Sequence, residues 1–512
     1  MMEFRNKEKR PASFDWQEFL FFIVAAGVIL LFASRSSLLY PCNDWNDANS
    51  YFSVGKALFN GKVPYRDVFD QKGMYLYFFY GLAYLLSHTT FKGVFILEWI
   101  LATADLLGIS RILQLYVKRG TALAFSPLAL AVSFVSQSFY WGGSAEEMCL
   151  PFLIWGLYLS LKYFKKEYPD HAMKGRTLFI AGLLAGMTAN IKFTVLGFFF
   201  AWMMCVAFAF LARKDFLGGV KACLIFLLGM AVPFLPWIIY FGVKNALYYW
   251  YWGYVYINVF AYSNLNGEGP GLGERIYTLL KLLYWVILKN LCYFVLVIPG
   301  VIFELICKGK DGKHRFLPKF HIVALCFFLF LGIYVGGSEL PYYALPLSVF
   351  TVLGLALTGR GMEELLNRWC KKMKVLQVMG CVLSLCISVL VIYAGSMNTS
   401  YMKVKKEDHF LYRLKEKMSC GENTTLLNIG CLDAGLYTVC DIVPTCQWFQ
   451  TQTVIMDTVL SEQDRYIREG QIDYVIARDT YPDIIWEQYD LVTQEEWEQD
   501  GIVFTYYLFE KK

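Results

Sequence analysis

The sequence predicts a helical protein that crosses a membrane many times and carries a small α/β domain at its carboxyl end. Of the 512 residues, 57% are hydrophobic and only 17% are charged, a balance too apolar for a soluble globular chain. Apolar stretches of roughly 17 to 25 residues recur over the first 400 positions, and a helix of that length crosses a hydrocarbon core of ~30 Å. Beyond residue 400 the chain instead alternates short apolar strands with helices.

The net charge of +5 is divided unevenly along the chain. Residues 401–512 contain 11 Lys and Arg against 20 Asp and Glu, whereas residues 1–400 contain 36 against 22. In the apolar part the cations gather in six short loops, at 4–10, 117–120, 165–176, 213–215, 307–315 and 359–374. Short cytoplasmic loops carry an excess of Lys and Arg, so all six are predicted to be cytoplasmic.

Six loops on one side limit the number of crossings between them. The result is about eleven spans: 16–40, 93–116, 121–140, 149–164, two short helices within 177–211, then 224–241, one ending near 305, and three beginning near 320, 343 and 375. The first span lacks a cleavage site and is too long for a signal peptide, so we expect it to be retained. Only one crossing fits between 41 and 118, so the apolar segment 74–90 is predicted to lie along the outer interface or to re-enter, adding juxtamembrane helices to the first outer loop.

This topology predicts a multi-pass protein of the cell membrane with its amino end in the cytoplasm. We expect a transmembrane domain at 1–397 and an extracytoplasmic α/β domain at 398–512. The second domain contains no glycine-rich phosphate-binding pattern, and a folded cap without a catalytic role is the simpler reading of it. The 14 cysteines show no metal-ligand spacing, so no metal site is predicted, although a divalent ion is not excluded.

Polar residues collect in the loops that the topology places outside. They are Asp44 and Asp47 in the first loop, Arg66 and Lys72 further along it, Glu146 and Glu147 at the next tip, Lys192 at a hairpin tip, and Tyr342 and Tyr343 at a later one. Charges near a bilayer are costly and usually have a function or a partner. Each also has a purely structural explanation: helix capping for the carboxylates, snorkelling for the lysines and an aromatic belt for the tyrosines.

Carboxylates and lysines at the outer surface of a membrane suit one kind of chemistry. A carboxylate can act as general base on an acceptor hydroxyl, and a lysine can stabilise the charge of a departing phosphate. Together they describe transfer of a sugar from a lipid phosphate. Water-soluble nucleotide sugars would be on the other face, so an outer site favours a donor carried across by a polyprenyl lipid.

Two motifs carry a family resemblance. The first is D-x-x-x-Y-x-x-x-G, formed by Asp47, Tyr51 and Gly55, and the second is GKVPYRDVFDQKG at 61–73. They resemble bacterial members of the protein O-mannosyltransferase-like, ArnT-like branch of the GT-C glycosyltransferase superfamily. The resemblance implies a general-base role for Asp47 and contact of Lys72 with the donor phosphate. Two departures are Ala48, where better-known relatives have a second carboxylate, and Met74, where many have proline.

The resemblance extends to the layout of the membrane part. It implies a second acidic or acceptor site at Glu146, Glu147 or Asp44, and donor-phosphate contacts from Lys192, Arg66, Tyr342 and Tyr343. The predicted partners are the bilayer, a polyprenyl-phosphate sugar and an extracytoplasmic acceptor, with no nucleic acid. The sugar, the acceptor, the stereochemistry and the oligomeric state stay open.

Two other classes of protein fit the composition. A lipid or polysaccharide flippase would also be apolar and polytopic, but transporters usually contain internal repeats and place charges near the midplane of the bilayer. We find no clear repeat, and the charges here gather at the outer rim. A non-catalytic envelope assembly protein, with the tail as its binding domain, is the second alternative.

Overall fold

The computed structural model describes residues 15–261, 271–307, 315–369, 373–421 and 423–512. The helices before residue 400 are α1 (Trp16–Ala33), α2 (Asn46–Phe59), α3 (Met74–Leu86), α4 (Lys92–Leu113), α5 (Arg119–Phe134), α6 (Ala145–Lys166), α7 (Gly175–Ala189), α8 (Gly197–Ala212), α9 (Phe216–Ala231), α10 (Leu235–Val243), α11 (Leu247–Trp250), α12 (Leu272–Lys289), α13 (Leu291–Ile306), α14 (Phe316–Tyr334), α15 (Thr351–Trp369) and α16 (Met373–Gly395). Short 3-10 helices at Phe193–Leu196, Val232–Phe234 and Pro341–Phe350 precede α8, α10 and α15, and a π-helix covers Tyr251–Ala261.

The predicted class, a multi-pass helical membrane protein, is confirmed. Within the described ranges, seven helices are long and apolar enough to cross a membrane, and the number is eight if α12 and α13, bent by 110°, are counted together as one broken span. Helices α3, α5 and α7 are apolar but shorter. The count of eleven spans and the orientation of the termini stay predictions.

Helix ends that border loops rich in Lys and Arg meet at one end of the helix bundle in the part of the chain that the structure describes, and we call this the basic end. Three contacts tie the helix termini together there: the Arg119 guanidinium with the Glu18 carboxylate at 2.8 Å, the Lys118 backbone N–H with the Glu363 carboxylate at 2.7 Å, and the Lys165 ammonium with the Glu304 carboxylate at 2.9 Å. They join the start of α1 to the start of α5, α5 to the end of α15, and the end of α6 to the end of α13.

At the other end, α2 and α3 form a hairpin of short helices in the loop after α1. Their axes approach closely because Gly55 and Gly81 have no side chains: a Cβ on Gly55 would lie 2.6 Å from the backbone nitrogen of Gly81 and 2.7 Å from the carbonyl oxygen of Tyr77. The apolar segment predicted at 74–90 is therefore α3, which has 13 residues and packs between α2 and α4.

The C-terminal domain is a four-stranded sheet with helices. Its elements are a 3-10 helix at Thr399–Lys403, α17 (Phe410–Glu416), β1 (Leu426–Ile429), α18 (Leu436–Val439), α19 (Met456–Arg468), β2 (Tyr474–Arg478), α20 (Ile485–Gln488), β3 (Tyr489–Gln499) and β4 (Ile502–Lys511). The strand order is β1-β2-β4-β3, with β1 parallel to β2 and the other pairs antiparallel. Apolar runs at 425–430, 473–478 and 502–510 predict strands that correspond to β1, β2 and β4, whereas β3 was not predicted, because its outward residues are polar.

The C-terminal domain docks on α2 through hydrogen bonds along one face of that helix. The Thr438 hydroxyl donates to the Asn49 side chain at 2.9 Å, the Gln450 amide to Ser50 at 2.6 Å, the Ser53 hydroxyl to Asp433 at 2.5 Å, and the Lys56 ammonium to Asp441 at 2.9 Å. The helical period places Asp47, Tyr51 and Gly55 on a different face, where Gly55 meets α3. The domain therefore holds α2 against the membrane helices.

This docking is expected to depend on pH through Asp433. Burial raises the pKa of its carboxyl from 3.8 to about 6, so the folded state binds a proton more tightly than the unfolded state between these values. The stabilisation that the protonated Asp433 carboxyl gives the folded state is therefore fully present below pH 4 and is lost as the pH rises through 6. This loss lowers the free energy of unfolding by on the order of 3 kcal/mol. We expect Asp433→Asn to match the wild type in thermal midpoint at pH 4 and to exceed it at pH 7.5. An equal difference at both pH values would contradict the assignment.

Candidate active site

The carboxylate of Asp47 lies in the first turn of α2 and is held by a tyrosine from a distant element. The Tyr342 hydroxyl, at the start of the 3-10 helix before α15, donates to Asp47 Oδ2 at 2.6 Å. The Trp45 ring packs edge-on against Tyr342, with ring centroids 4.8 Å apart. Asp47 is only partly buried, so a fixed carboxylate with access to solvent is available at this end of the bundle.

A buried ion pair lies beside this carboxylate. The Lys192 ammonium donates to Glu146 Oε1, and both side chains are at most 10% exposed. Lys192 Nζ lies 3.8 Å from the centroid of the Tyr343 ring and 5.6 Å from that of Tyr342. Glu146 Oε2 has no hydrogen-bond partner among the described residues. The structure thus brings together Glu146, Lys192, Tyr342 and Tyr343, four of the residues that the sequence selected.

The loop that carries Lys72 packs directly on the tip that carries Lys192. The Gly73 N–H donates to the Ile191 carbonyl at 3.2 Å, and the Tyr75 N–H donates to the Asn190 carbonyl at 3.0 Å. A Cβ on Gly73 would collide with the Asn190 carbonyl, so only glycine allows this approach. Two lysines that are distant in sequence thereby reach the same region.

Gly73→Ala is expected to separate the Lys72 loop from the Lys192 tip. The added methyl group meets backbone, which cannot rotate away, so we expect a loss of a few kcal/mol of stability and a lower thermal midpoint. Gly242→Ala is the matched control, since a Cβ there meets no atom within 4 Å and alanine is the better helix former. Unchanged stability in Gly73→Ala would contradict the close packing.

Two further polar groups, Asp70 and Tyr51, belong to the α2–α3 hairpin and lie close to the Asp47 carboxylate. Burial raises the pKa of Asp70, whereas the Lys72 charge and the Tyr77 hydroxyl, which donates to Asp70 at 2.8 Å, act against the rise. Tyr51 is buried, and its hydroxyl has no partner among the described residues. Burial, followed by the nearby Asp47 carboxylate, raises the pKa of Tyr51 well above its usual value. Its phenol therefore stays protonated.

Asp44 lies apart from this cluster, in the joint between the membrane helices and the C-terminal domain. It is fully buried and forms an ion pair with Arg35 at 3.0 Å, and it accepts hydrogen bonds from Trp497 at 3.1 Å and Gln499 at 3.2 Å. Burial alone would raise its pKa, but His409 and Arg35 together hold the pKa below its usual range. These contacts indicate a structural role for Asp44, which joins the membrane helices to the C-terminal domain.

Arg66 and Glu147 also have other partners. Arg66 pairs with its neighbour Asp67 at 2.8 Å and donates to the Lys244 carbonyl at 3.0 Å. Glu147 accepts the Gly143 N–H at 2.7 Å, and its own N–H is capped by the Ser144 hydroxyl. Among the described residues, no hydrogen bond or ion pair joins either side chain to Asp47 or Lys192, so the roles proposed for Arg66 and Glu147 stay predictions.

Glu98 is a buried carboxylate that was not among the predicted site residues. This carboxylate is fully buried on α4 and accepts the Ser34 hydroxyl at 2.9 Å. A Cβ on Gly142 would lie 2.7 Å from Glu98 Oε1, so Glu98 supports the tip that precedes α6. A carboxylate within an apolar helix is the signal that could have identified it, and Asp105 on the same helix shows the same signal.

An apolar cavity of about 270 Å³ opens next to the Lys192 tip. Its walls come from the end of α7, the segment after Lys192, α9 and its 3-10 extension, α11 and the π-helix. They include Ala189, Phe193, Met230, Phe234, Trp250 and Tyr254. A hydrophobic chain could lie here with a polar headgroup at Lys192. Within the described ranges, no group of three or more His, Cys, Asp or Glu side chains is arranged to hold a metal ion.

This helical bundle, with the α2–α3 hairpin and the C-terminal sheet, has a fold that is known from other proteins. Two solved structures share it, both of ArnT from Cupriavidus metallidurans. The one bound to undecaprenyl phosphate has a TM-score of 0.57 and 12% identity, and the apo structure has 0.55 and 13%. Each comparison covers 95% of this chain and 97% of the other. No family model and no curated protein matches the sequence.

Proposed function

We propose that this protein is a membrane glycosyltransferase that moves a sugar from a polyprenyl-phosphate donor to an acceptor outside the cytoplasm. The observation that carries the proposal is the Asp47 carboxylate, fixed by Tyr342 and placed beside the Glu146–Lys192 pair and the Lys72 loop. The likeness in fold to ArnT, which has been solved with undecaprenyl phosphate bound, supports a polyprenyl phosphate as the lipid of the donor.

In the proposed reaction an acceptor hydroxyl oxygen attacks the anomeric carbon of the donor sugar. The new carbon–oxygen bond forms as the bond from that carbon to the phosphate oxygen breaks, and the phosphate leaves with the electron pair. Asp47 accepts the proton of the acceptor hydroxyl, which requires the two groups to approach within hydrogen-bond distance. The Tyr342 hydroxyl orients the carboxylate and leaves its second oxygen for the acceptor.

The leaving polyprenyl phosphate needs positive charge where its own negative charge develops. Lys192 and Lys72 supply two ammonium groups on packed loops, so little reorganisation is needed during the reaction. Glu146 keeps the Lys192 ammonium in place. The apolar cavity beside Lys192 is suited to the first isoprene units of the lipid, which would place the phosphate at the lysines and the sugar towards Asp47.

We place the site on the outer face of the cell membrane, opposite the basic end. The acceptor is then a cell-envelope glycan, a glycolipid or a protein. We also propose that the enzyme belongs to the protein O-mannosyltransferase-like branch of the GT-C superfamily. This arrangement makes the C-terminal domain extracytoplasmic and gives it the task of holding α2, the helix that presents Asp47.

Donor use tests the function directly. Membranes containing the protein are incubated with a panel of polyprenyl-phosphate sugars, and release of polyprenyl phosphate is followed by mass spectrometry, with membranes lacking the protein as control. We expect protein-dependent release with one class of sugar, together with an altered envelope glycan in cells that lack the protein. Direct use of nucleotide sugars, or turnover of no lipid-linked sugar, would contradict the proposal.

A further inference from the structure

A small cavity of about 20 Å³ lies inside the helix bundle, where the 3-10 helix Pro341–Phe350 continues as α15. Its other walls come from α4, α5 and α6. Eight of the residues that line it are apolar, and the four polar ones, all buried, are Asp105, Ser133, Ser348 and Thr351. A water molecule needs at least about 10–15 Å³ of cavity volume and two to four polar partners, so the cavity has room for one.

Two of the polar side chains at this cavity indicate that it holds a ligand. Asp105 and Thr351 are each 1% exposed, and neither Asp105 Oδ1 nor Thr351 Oγ1 has a hydrogen-bond partner among the described residues. A buried polar group without a partner is costly and uncommon. Asp105 also lies within an apolar helix long enough to cross a membrane, where ionisable side chains nearly always have a partner or face water. Because both residues line the same cavity, one ligand can satisfy both.

The four polar groups match the hydrogen-bonding capacity of one water molecule. The Ser133 hydroxyl donates to the Ala129 carbonyl at 3.0 Å, so in the cavity its oxygen can only accept. The Ser348 and Thr351 hydroxyls each carry a proton that can be donated. Water donates two hydrogen bonds and accepts two. It can donate to Asp105 and Ser133, and it can accept from the other two hydroxyls.

A cation fits the same groups less well. Among the described residues that line the cavity none is basic, so a sodium ion would neutralise Asp105. However, a cation accepts no hydrogen bond, and it would leave the Thr351 proton without an acceptor in the cavity, whereas water accepts that proton. We propose that this cavity binds one water molecule, which joins Asp105 on α4 to Thr351 at the start of α15.

The water molecule supports the 3-10 helix that leads to the candidate active site. Runs of 3-10 helix longer than three or four residues are uncommon because their hydrogen bonds have poorer geometry, and this one has ten residues. Its last residues border the cavity, and near its first residue Tyr342 donates to Asp47. The water therefore fixes the inner end of the element whose other end holds the Asp47 carboxylate.

Thr351→Val tests the site by the sign of its effect on the thermal midpoint of the full-length protein in detergent. Valine keeps the branched shape and removes the hydroxyl. With the water bound, the variant loses a hydrogen bond and leaves the water with one partner fewer, so we expect a lower midpoint. Without a ligand, valine would remove a buried hydroxyl that has no partner and would stabilise the fold. An unchanged or higher midpoint therefore overturns the proposal.

Thr103→Val is the matched control for this substitution. Thr103 is also buried, lies on α4 and does not line the cavity, and its hydroxyl donates to the Trp99 carbonyl of the same helix at 2.8 Å. A hydroxyl of this kind adds little to a helix, so the midpoint should stay close to wild type. An equal decrease in both variants would reduce the effect to the loss of any buried hydroxyl and would contradict the site.

Radiolytic labelling of the wild-type protein detects the water without any substitution. X-rays convert water to hydroxyl radicals, and a water molecule held inside a protein oxidises the side chains that it touches. We expect oxidation of Leu150, which lines the cavity, and background labelling of Leu153, which lies on the same helix, is equally buried and does not line it. Tandem mass spectrometry separates the two positions. Equal labelling of both leucines would overturn the proposal.

The ion dependence of the thermal midpoint distinguishes water from sodium. The wild-type protein is compared in sodium, potassium and choline chloride at equal ionic strength, and we expect the same midpoint in all three. A saturable rise specific to sodium that disappears in Asp105→Asn would assign the cavity to a cation, because a ligand of the native state stabilises it according to its occupancy, and would overturn the assignment to water. Because no sugar transfer is measured, these outcomes do not depend on the proposed enzymatic function.

Discussion

Asp47→Asn is expected to reduce sugar transfer by about 10²–10⁴-fold, the usual contribution of a general base. The asparagine oxygen can still accept the Tyr342 hydroxyl that now donates to Asp47 at 2.6 Å, so the loss of the base leaves the packing of α2 unchanged. We therefore expect normal abundance in the membrane and a normal thermal midpoint. Transfer is measured as release of polyprenyl phosphate from the lipid-linked donor at saturating concentration.

Asp67→Asn is the matched control in the same outer loop. Asp67 is paired with Arg66 and accepts the Val63 N–H at 2.7 Å, and a partly exposed ion pair of this kind contributes about 0–1 kcal/mol. Transfer should remain close to wild type. Equal loss in both variants would indicate a general effect on the loop, and full activity in Asp47→Asn would remove Asp47 from the catalytic role.

The helices were predictable because their signals are local. The predicted tip at Asn190, Ile191 and Lys192 within 177–211 lies at the break between α7 and the 3-10 turn before α8. The run 74–90 was recognised as surplus for a crossing and is the short helix α3. Periodicity and loop charge need no knowledge of distant contacts, so a single sequence was sufficient.

Strand β3 was not predicted because its outward side chains are polar, so its sequence does not alternate between apolar and polar residues. Between Tyr489 and Gln499 most of the side chains are polar and exposed or partly exposed, so the strand has no apolar face that the sequence could display. The signal that was available is Asp500-Gly501, whose positive φ angles of 51° and 78° make the tight turn into β4. Asp-Gly between two strands is among the strongest hairpin signals.

The sequence could not show which of several neighbouring carboxylates lies beside Lys192, and the reason is geometric. Adjacent residues on a helix point about 100° apart, so Glu146 and Glu147 cannot face the same partner. The Lys192 ammonium forms an ion pair with Glu146, and the Gly143 backbone N–H donates a hydrogen bond to Glu147. Asp44 likewise meets Arg35 and Trp497, and the latter belongs to the strand that was not predicted. Partners far along the chain decide these roles, and no spacing rule supplies them.

Lys192→Met should have the largest effect on stability, because it leaves Glu146 as an unpaired buried charge. Breaking a buried ion pair on one side costs about 3–5 kcal/mol, which we expect to appear as a much lower thermal midpoint and poor recovery from membranes. Lys289→Met is the control, since Lys289 pairs with Glu339 at 2.5 Å but both side chains are more exposed, at 44% and 29%. That substitution should cost no more than about 1 kcal/mol.

The double variant Lys192→Met with Glu146→Gln separates folding from catalysis. It removes both charges, and replacing a whole buried pair by neutral groups is often tolerated, so stability should recover. Transfer should not recover, because the ammonium that we assign to the leaving phosphate is absent. A double variant with restored stability and restored transfer would show that the pair only supports the fold, and the phosphate would then have to be stabilised by Lys72 without Lys192.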